Sequence, residues 1–230
     1  MKKDYRAIYE SYGSLGGLSS PSRAKYRSIK QNVLPHLTGR VREVGSGQGE
    51  LLQACLESGI EARGCDVSPE MVAACQSRGL AVDRVTDTVA FLRTCDAWET
   101  LVLVDVLEHL TRNEALEVAR IARQRGKRIV IQVPNMASPF ATLNFYHDLT
   151  HEWAYTEASI AQLLHLAGFL NVKVFAVQHP LVGLQRVRAL ARQVFYVLLW
   201  PILVIDQPNR SRVLTPNLLA VADISHSEKR

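Results

Sequence analysis

Two kinds of residue in this 230-residue chain could do chemistry: a glycine triplet flanked by acids, and a set of histidines with an aspartate among them. The triplet is Gly45-Ser46-Gly47-Gln48-Gly49, with Glu43 one residue ahead of it and Glu50 directly behind. Glycines lack the Cβ that would fill the inside of a tight turn, so main chain would line the pocket there. A dinucleotide fingerprint needs Gly-x-Gly-x-x-Gly, the third glycine letting helix pack on strand. Here Glu50 stands where that third glycine belongs. Glu43 puts negative charge beside the turn, which suits a cationic ligand better than a pyrophosphate. The second set is His109, His147 and His151, with Asp148 able to orient an imidazole. Histidine is the natural proton acceptor near neutral pH, so these are the candidate bases.

The elements that position these groups can be read from periodicity. A short strand ends at the glycine turn, and Glu50 to Ser58 reads as a helix closed by Gly59. Glu61 to Asp66 is a strand tipped by an acid, and Ser68-Pro69 supplies an N-cap and first position for a helix to Arg78. With Ser68 taking the cap, Asp66 is expected to be free for a ligand. Leu80 to Val85 is the third strand, and Thr86-Asp87-Thr88 opens another helix, with Asp87 as a helix cap or a ligand contact. The continuous apolar run Thr100 to Leu107 predicts a central strand buried on both faces. Asp105, Glu108 and His109 follow at its carboxyl end, where open α/β sheets bind ligands. Asn113 to Arg125 is an amphipathic helix and Lys127 to Val133 the fifth strand. Thr156 to Ala167, Asn171 to Gln178 and Leu218 to Asp223 complete the pattern as helix, strand and strand. This alternation predicts an α/β fold with a doubly wound parallel sheet.

The acid followed by Gly-x-Gly-x-Gly resembles the first motif of the class I S-adenosylmethionine-dependent methyltransferases. That resemblance implies a Rossmann-like seven-stranded sheet with helices on both faces and the last strand inserted beside the sixth. It implies S-adenosylmethionine as cofactor, held by Glu43, Gly45, Ser46, Gly47, Gly49, Asp66, Val67, Asp87 and Asp105. Asp66 would meet the ribose hydroxyls, because a carboxylate accepts two hydrogen bonds at once, and Asp87 the adenine. The combination of Gly-x-Gly-x-Gly, Asp-Val-Leu-Glu-His-Leu, Val-Pro-Asn and Phe-Tyr-His-Asp-Leu-Thr-His is similar to methyltransferases of bacterial polysaccharide and O-antigen gene clusters over roughly residues 40 to 180. It implies O-methylation of a sugar or of a lipid-linked glycan. Asp105, Glu108, His109 and His151 also resemble the ligand set of metal-dependent small-RNA 2′-O-methyltransferases. A divalent metal is the less favoured reading, since Asp105 is one methylene shorter than the glutamate of that pattern. The other readings are a small-molecule O-methyltransferase, for a quinone precursor or secondary metabolite, an RNA 2′-O-methyltransferase, and a non-catalytic cofactor-binding partner subunit.

Composition adds bounds. Hydrophobic content of 47% and charged content of 21% are ordinary for a globular α/β protein, and net charge is +5. The basic residues are not gathered in one block or interleaved with aromatics, so nucleic acid is not the favoured partner. Cys55, Cys65, Cys75 and Cys95 show no paired spacing and read as reduced core thiols. No apolar signal segment follows the N-terminus, which predicts a cytoplasmic protein. Residues 1–40 read as a helical lid with helices at Tyr5 to Tyr12 and Ser22 to Leu37, basic at 23, 25, 27 and 30, with no catalytic residue assigned there. Residues 41–180 form the cofactor-binding core. Residues 181–230 hold an amphipathic helix, Leu184 to Ile205, then a loop, the last strand and a polar tail. That helix carries Arg186, Arg188 and Arg192 beside an apolar face, and is too short to span a bilayer of about 30 Å. It could lie on an anionic membrane surface, at its inner face, or join two copies as a homodimer.

Overall fold

The computed structural model of the chain describes residues 21–139, 141–178, 190, 191, 194–199, 201, 205 and 213–224. The expected helix Tyr5 to Tyr12, most of the Leu184 to Ile205 segment and the polar tail lie outside the described residues. Of the C-terminal helix, residues 190, 191, 194–199, 201 and 205 are helical, and Leu190, Val194, Val197, Leu198 and Ile205 among them are exposed.

Seven strands form one sheet: β1 Val41–Val44, β2 Ala62–Asp66, β3 Val82–Arg84, β4 Thr100–Val104, β5 Arg128–Pro134, β6 Asn171–Ala176 and β7 Asn217–Asp223. Their order is β3-β2-β1-β4-β5-β7-β6. Strands β1 to β5 pair in parallel, whereas β7 is antiparallel to both β5 and β6. The sheet is therefore mixed, and the last strand lies between the fifth and sixth, as the resemblance implies. The order reverses at β1 and β4, so their carboxyl ends leave a crevice at this switch point, where ligands of such sheets bind.

The helices are α1 Arg23–Asn32, α2 Glu50–Glu57, α3 Pro69–Gln76, α4 Thr88–Thr94, α5 Arg112–Arg125, α6 Ala141–Tyr146 and α7 Glu157–Leu166. Caps explain several of their starts. Ser68 accepts from Met71 N–H with Pro69 following, and Thr111 and Glu114 form a reciprocal capping box at α5. All five residues of β4 are buried, which its apolar run demands. Two apolar clusters cover the faces of the sheet. One gathers Leu101, Leu103, Ile129 and Ile131 with α5 and α7, and the other gathers Val102, Val104 and Val130 with α1 and α2. Alternate residues of β4 thus feed opposite layers, as period-two geometry requires.

Two expectations are corrected. The helix expected over Ser22 to Leu37 ends at Asn32 and is followed by a short 3-10 turn, Leu34–His36. Pro35 lacks the N–H that a continuing helix would need. The apolar run expected as a strand through Leu107 stops at Val104 and turns into a 3-10 segment, Leu107–His109. Helix α6 was not expected at all. The cysteines are free, with Cys55, Cys65 and Cys75 buried, and burial pushes the thiols of Cys55 and Cys65 up to about 12, so they are inert core residues.

Candidate functional site

The glycine turn joins β1 to α2. Gly45 has φ of 69°, and a Cβ there would come within 2.5 Å of Val106 Cγ2, so it is glycine both for conformation and for close packing. Gly47 has φ of 49° and nothing within 4 Å of the Cβ position, so its backbone faces open space. Ser46 is buried at the turn and Gly49 is the left-handed N-cap of α2. Main chain lines this cradle, as its spacing predicts.

Four acids are expected around it, Glu43, Asp66, Asp87 and Asp105. Glu43 is buried, and its Oε2 has no hydrogen-bond partner. Burial pushes its carboxyl well above the ordinary carboxylate range, Lys25 opposes this, and Glu50 and Asp66 reinforce it. Asp66, at the tip of β2, is buried and accepts from Gly47 N–H at 2.8 Å and from Ser68 N–H at 2.9 Å. The expectation that Asp66 is free because Ser68 caps α3 is therefore corrected. Ser68 does cap, yet each Asp66 oxygen already holds one backbone donor, so a ribose would use the remaining lone pairs. Val67 beside it is half-buried against the core. Asp87 caps α4 by accepting from Ala90 N–H at 2.9 Å, and it is exposed. Asp105 follows β4 with φ of 57°, a left-handed conformation unusual outside glycine, and accepts from Gln132 Nε2 at 3.0 Å. Its other oxygen lies 3.2 Å from Lys25 Nζ.

These residues fit S-adenosylmethionine. An open glycine cradle would take the main body of the ligand, and a buried, orphaned carboxylate oxygen on Glu43 asks for a donor such as an ammonium. Gln132 Oε1, Glu108 Oε2 and Tyr155 Oη are buried without a hydrogen-bond partner as well. These three belong to segments at or beyond the carboxyl ends of β4 and β5, while Trp98 Nε1, the other such atom among the described residues, precedes β4 at its opposite end.

The histidines resolve into two groups. His109 and His151 lie with ring centroids 4.7 Å apart. His109 Nδ1 is 2.6 Å from Thr150 Oγ1, and Thr150 donates its hydroxyl to Asp148 Oδ1 at 2.7 Å. That hydroxyl has one proton, so neutral His109 must be the donor at Nδ1 and carry its lone pair at Nε2. His151 Nδ1 is 2.8 Å from the Phe145 carbonyl, which only accepts, so its lone pair is also on Nε2. That nitrogen is 4.0 Å from Asp148 Oδ2. Asp148 therefore backs His109 through Thr150, and its approach to His151 becomes an ion pair only once that imidazole is protonated. His147 is exposed on the turn after α6, apart from this pair. Thr150 is the residue that sequence reasoning missed. Its signal was the Asp-Leu-Thr spacing, because Asp148 also accepts Thr150 N–H at 2.8 Å in an Asx turn.

Glu108, His109 and His151 each offer a ligand atom within 4.8 Å of the others. Asp105 was expected as a fourth ligand, but it is committed to Lys25 and Gln132. Two imidazole nitrogens and a carboxylate could hold a divalent ion. Burial and then the neighbouring Asp105 push the Glu108 carboxyl well above its ordinary range.

Comparisons with known proteins agree with this geometry. A methyltransferase from Archaeoglobus fulgidus has a TM-score of 0.67 at 22% identity, covering 96% of this chain and 100% of the other. The Haloferax volcanii methyltransferase solved in complex with the Trm112 methyltransferase activator gives 0.68 at 15%, covering 98% and 100%. Mitomycin 7-O-methyltransferase MmcR gives 0.61 at 14%, covering 97% of this chain and 59% of its own. At such identities the likeness establishes the fold. A comparison with curated proteins finds no match. The sheet order and these likenesses together give the fold class, that of the class I S-adenosylmethionine-dependent methyltransferases. Within it the chain belongs to the family of the methionine biosynthesis protein MetW, whose model matches residues 23–144. That span runs from α1 into α6 and holds the glycine turn, Asp66, Asp105 and His109.

Proposed function

We propose that the chain is an O-methyltransferase that acts on a hydroxyl of a sugar or lipid-linked glycan. The observation that carries O-methylation is the His109–His151 pair, whose Nε2 atoms both bear the lone pair. S-adenosylmethionine supplies a methyl group on a sulfonium, which an acceptor oxygen displaces in line, leaving a thioether. Glu43, Asp66 and the glycine turn orient the donor, which is where most of the acceleration of such a displacement comes from. One imidazole takes the hydroxyl proton at Nε2, and Asp148 stabilises the imidazolium that results. The pair performs this without a metal. The sugar acceptor is supported by the resemblance of residues 145–151 to the polysaccharide-cluster enzymes.

A small-molecule acceptor is the second reading. The family's description as a methionine biosynthesis protein and the likeness to mitomycin 7-O-methyltransferase favour it. Cofactor labelled in its methyl group, added with cell extract and followed by separation of glycolipid, RNA, protein and small-molecule pools, tests both. Label in glycolipid supports the glycan reading, and label among small molecules replaces it. No label despite cofactor binding makes the chain a cofactor-binding partner subunit.

A further inference from the structure

Helix α1 carries four basic side chains, of which Arg23, Arg27 and Lys30 are exposed. Lys25 alone among them is half-buried, with Nζ 3.2 Å from Asp105 Oδ2. Burial opposes its charge, but Asp105, Glu50 and Glu43 outweigh that and raise its pKa, so it remains an ammonium. Its delivery to this spot is built into the packing. Ser22 N–H donates to Glu50 Oε1 at 3.0 Å, the Tyr26 hydroxyl meets the Glu57 carboxylate, and Lys30 lies 3.7 Å from Glu57. These contacts pin α1 along α2, the helix that starts at the glycine turn.

The cofactor has two chemically different ends. With Asp66 and Asp87 past β2 and β3 on the adenosyl side, its methionyl end is directed toward β1 and β4, among Glu43, Asp105 and Glu50. Those acids suit an ammonium and a sulfonium, yet the carboxylate of the same moiety would meet only like charge there without a cation. We propose that Lys25, held beside Asp105 at 3.2 Å, is the receptor for the carboxylate of the cofactor's methionine moiety. Binding then exchanges one ion pair for two, Lys25 turning to the ligand's carboxylate and the acids to its ammonium. The proposal rests on the cofactor reading above and deepens it.

Calorimetry on the full chain with S-adenosylhomocysteine and with 5′-methylthioadenosine tests it, since the second ligand keeps adenosine and thioether but lacks the amino-acid part. In Lys25→Met, S-adenosylhomocysteine should bind about tenfold or more weakly, while 5′-methylthioadenosine stays within about twofold. Lys25→Arg, which keeps the charge, should recover most of the loss. Equal weakening of both ligands would make Lys25 a docking residue of α1 and overturn the assignment. Unchanged or tighter binding of S-adenosylhomocysteine would make it a plug and overturn it too. A wild-type chain that binds neither ligand would overturn the cofactor reading, and this assignment with it.

Discussion

Replacing Asp66 by alanine should cost both stability and cofactor affinity, in separable amounts. The side chain is 4% exposed and accepts two backbone N–H groups at 2.8 and 2.9 Å. A hydrogen bond to a charged group is worth about 1.5–3 kcal/mol, and removing its acceptor strands a buried donor. Two such bonds set a range of about 3–6 kcal/mol. The lower end applies because water can enter the space the side chain leaves and solvate the two N–H groups. A loss of about 3 kcal/mol in a domain of this size lowers the melting temperature by roughly 6–12 °C. Separately, loss of the ribose contact should weaken S-adenosylhomocysteine about tenfold or more, equivalent to about 1.4 kcal/mol. Scanning calorimetry without ligand reads the first effect and titration well below the new melting temperature reads the second. A variant that melts within about 1 °C of wild type would refute the structural role of the two bonds. Near-normal affinity would show that the ribose is held elsewhere.

Alanine at His109 or His151 should lower kcat about a hundredfold with KM for the cofactor little changed, while alanine at His147 leaves turnover within about threefold. Steady-state kinetics on the three variants side by side checks this, and a His147 variant as damaged as the others would relocate the base. The carboxyls of Glu43 and Glu108 are raised by burial, so the folded chain retains protons that the unfolded chain has already released above the ordinary carboxylate range. Stability without ligand should therefore fall as pH climbs from that range toward the folded-state values, a trend that denaturant melts across pH can read. A cationic ligand favours ionised Glu43, so S-adenosylmethionine should release protons on binding, measured as a heat that depends on the buffer's ionisation enthalpy. Exhaustive chelation should leave methyl transfer intact, and activity that vanishes and returns only with a divalent ion would instead assign Glu108, His109 and His151 to a metal.

The parts of the fold legible in the sequence were those set by local chemistry. The apolar run from Thr100 gave the buried central strand, though its expected end at Leu107 overran the observed one at Val104, and Ser68 and Pro69 announced the start of α3; the Thr111–Glu114 capping box of α5 was equally local but went unread. The glycine turn likewise needs only its own residues to be understood. Lys25 was not legible, because a lysine among basic neighbours on a helix reads as part of a solvated face. Its meeting with Asp105 exists only once α1 is docked on α2, eighty residues away in sequence from Asp105 itself. The partnering of His109 with Thr150 across 41 positions has the same character. His147 is the converse case: its neighbours along the chain place it beside Asp148 and His151, whereas in the fold it is exposed on the turn after α6. Pro35 did carry a local signal for the end of α1, and it outweighs the helical spacing of the apolar residues around it.

Strand β6 touches the sheet only through β7, which lies antiparallel between it and β5 over Asn217–Asp223. Strands β1 to β5 can therefore assemble as they leave the ribosome, whereas β6 must wait for residues 217–223 before it has a neighbour to join. During that interval residues 171–176 and the open edge of β5 are both unpaired, and chaperone capture or premature association has its opportunity there. Completion of the sheet also fixes both ends of residues 177–216 in adjacent strands. The described ends of that stretch are not idle: Val213, Thr215 and Pro216 offer their carbonyls to Asn135 at the tip of β5, and Gln178 exchanges hydrogen bonds with Asn32 of α1, so a change at either end reaches the elements that frame the crevice.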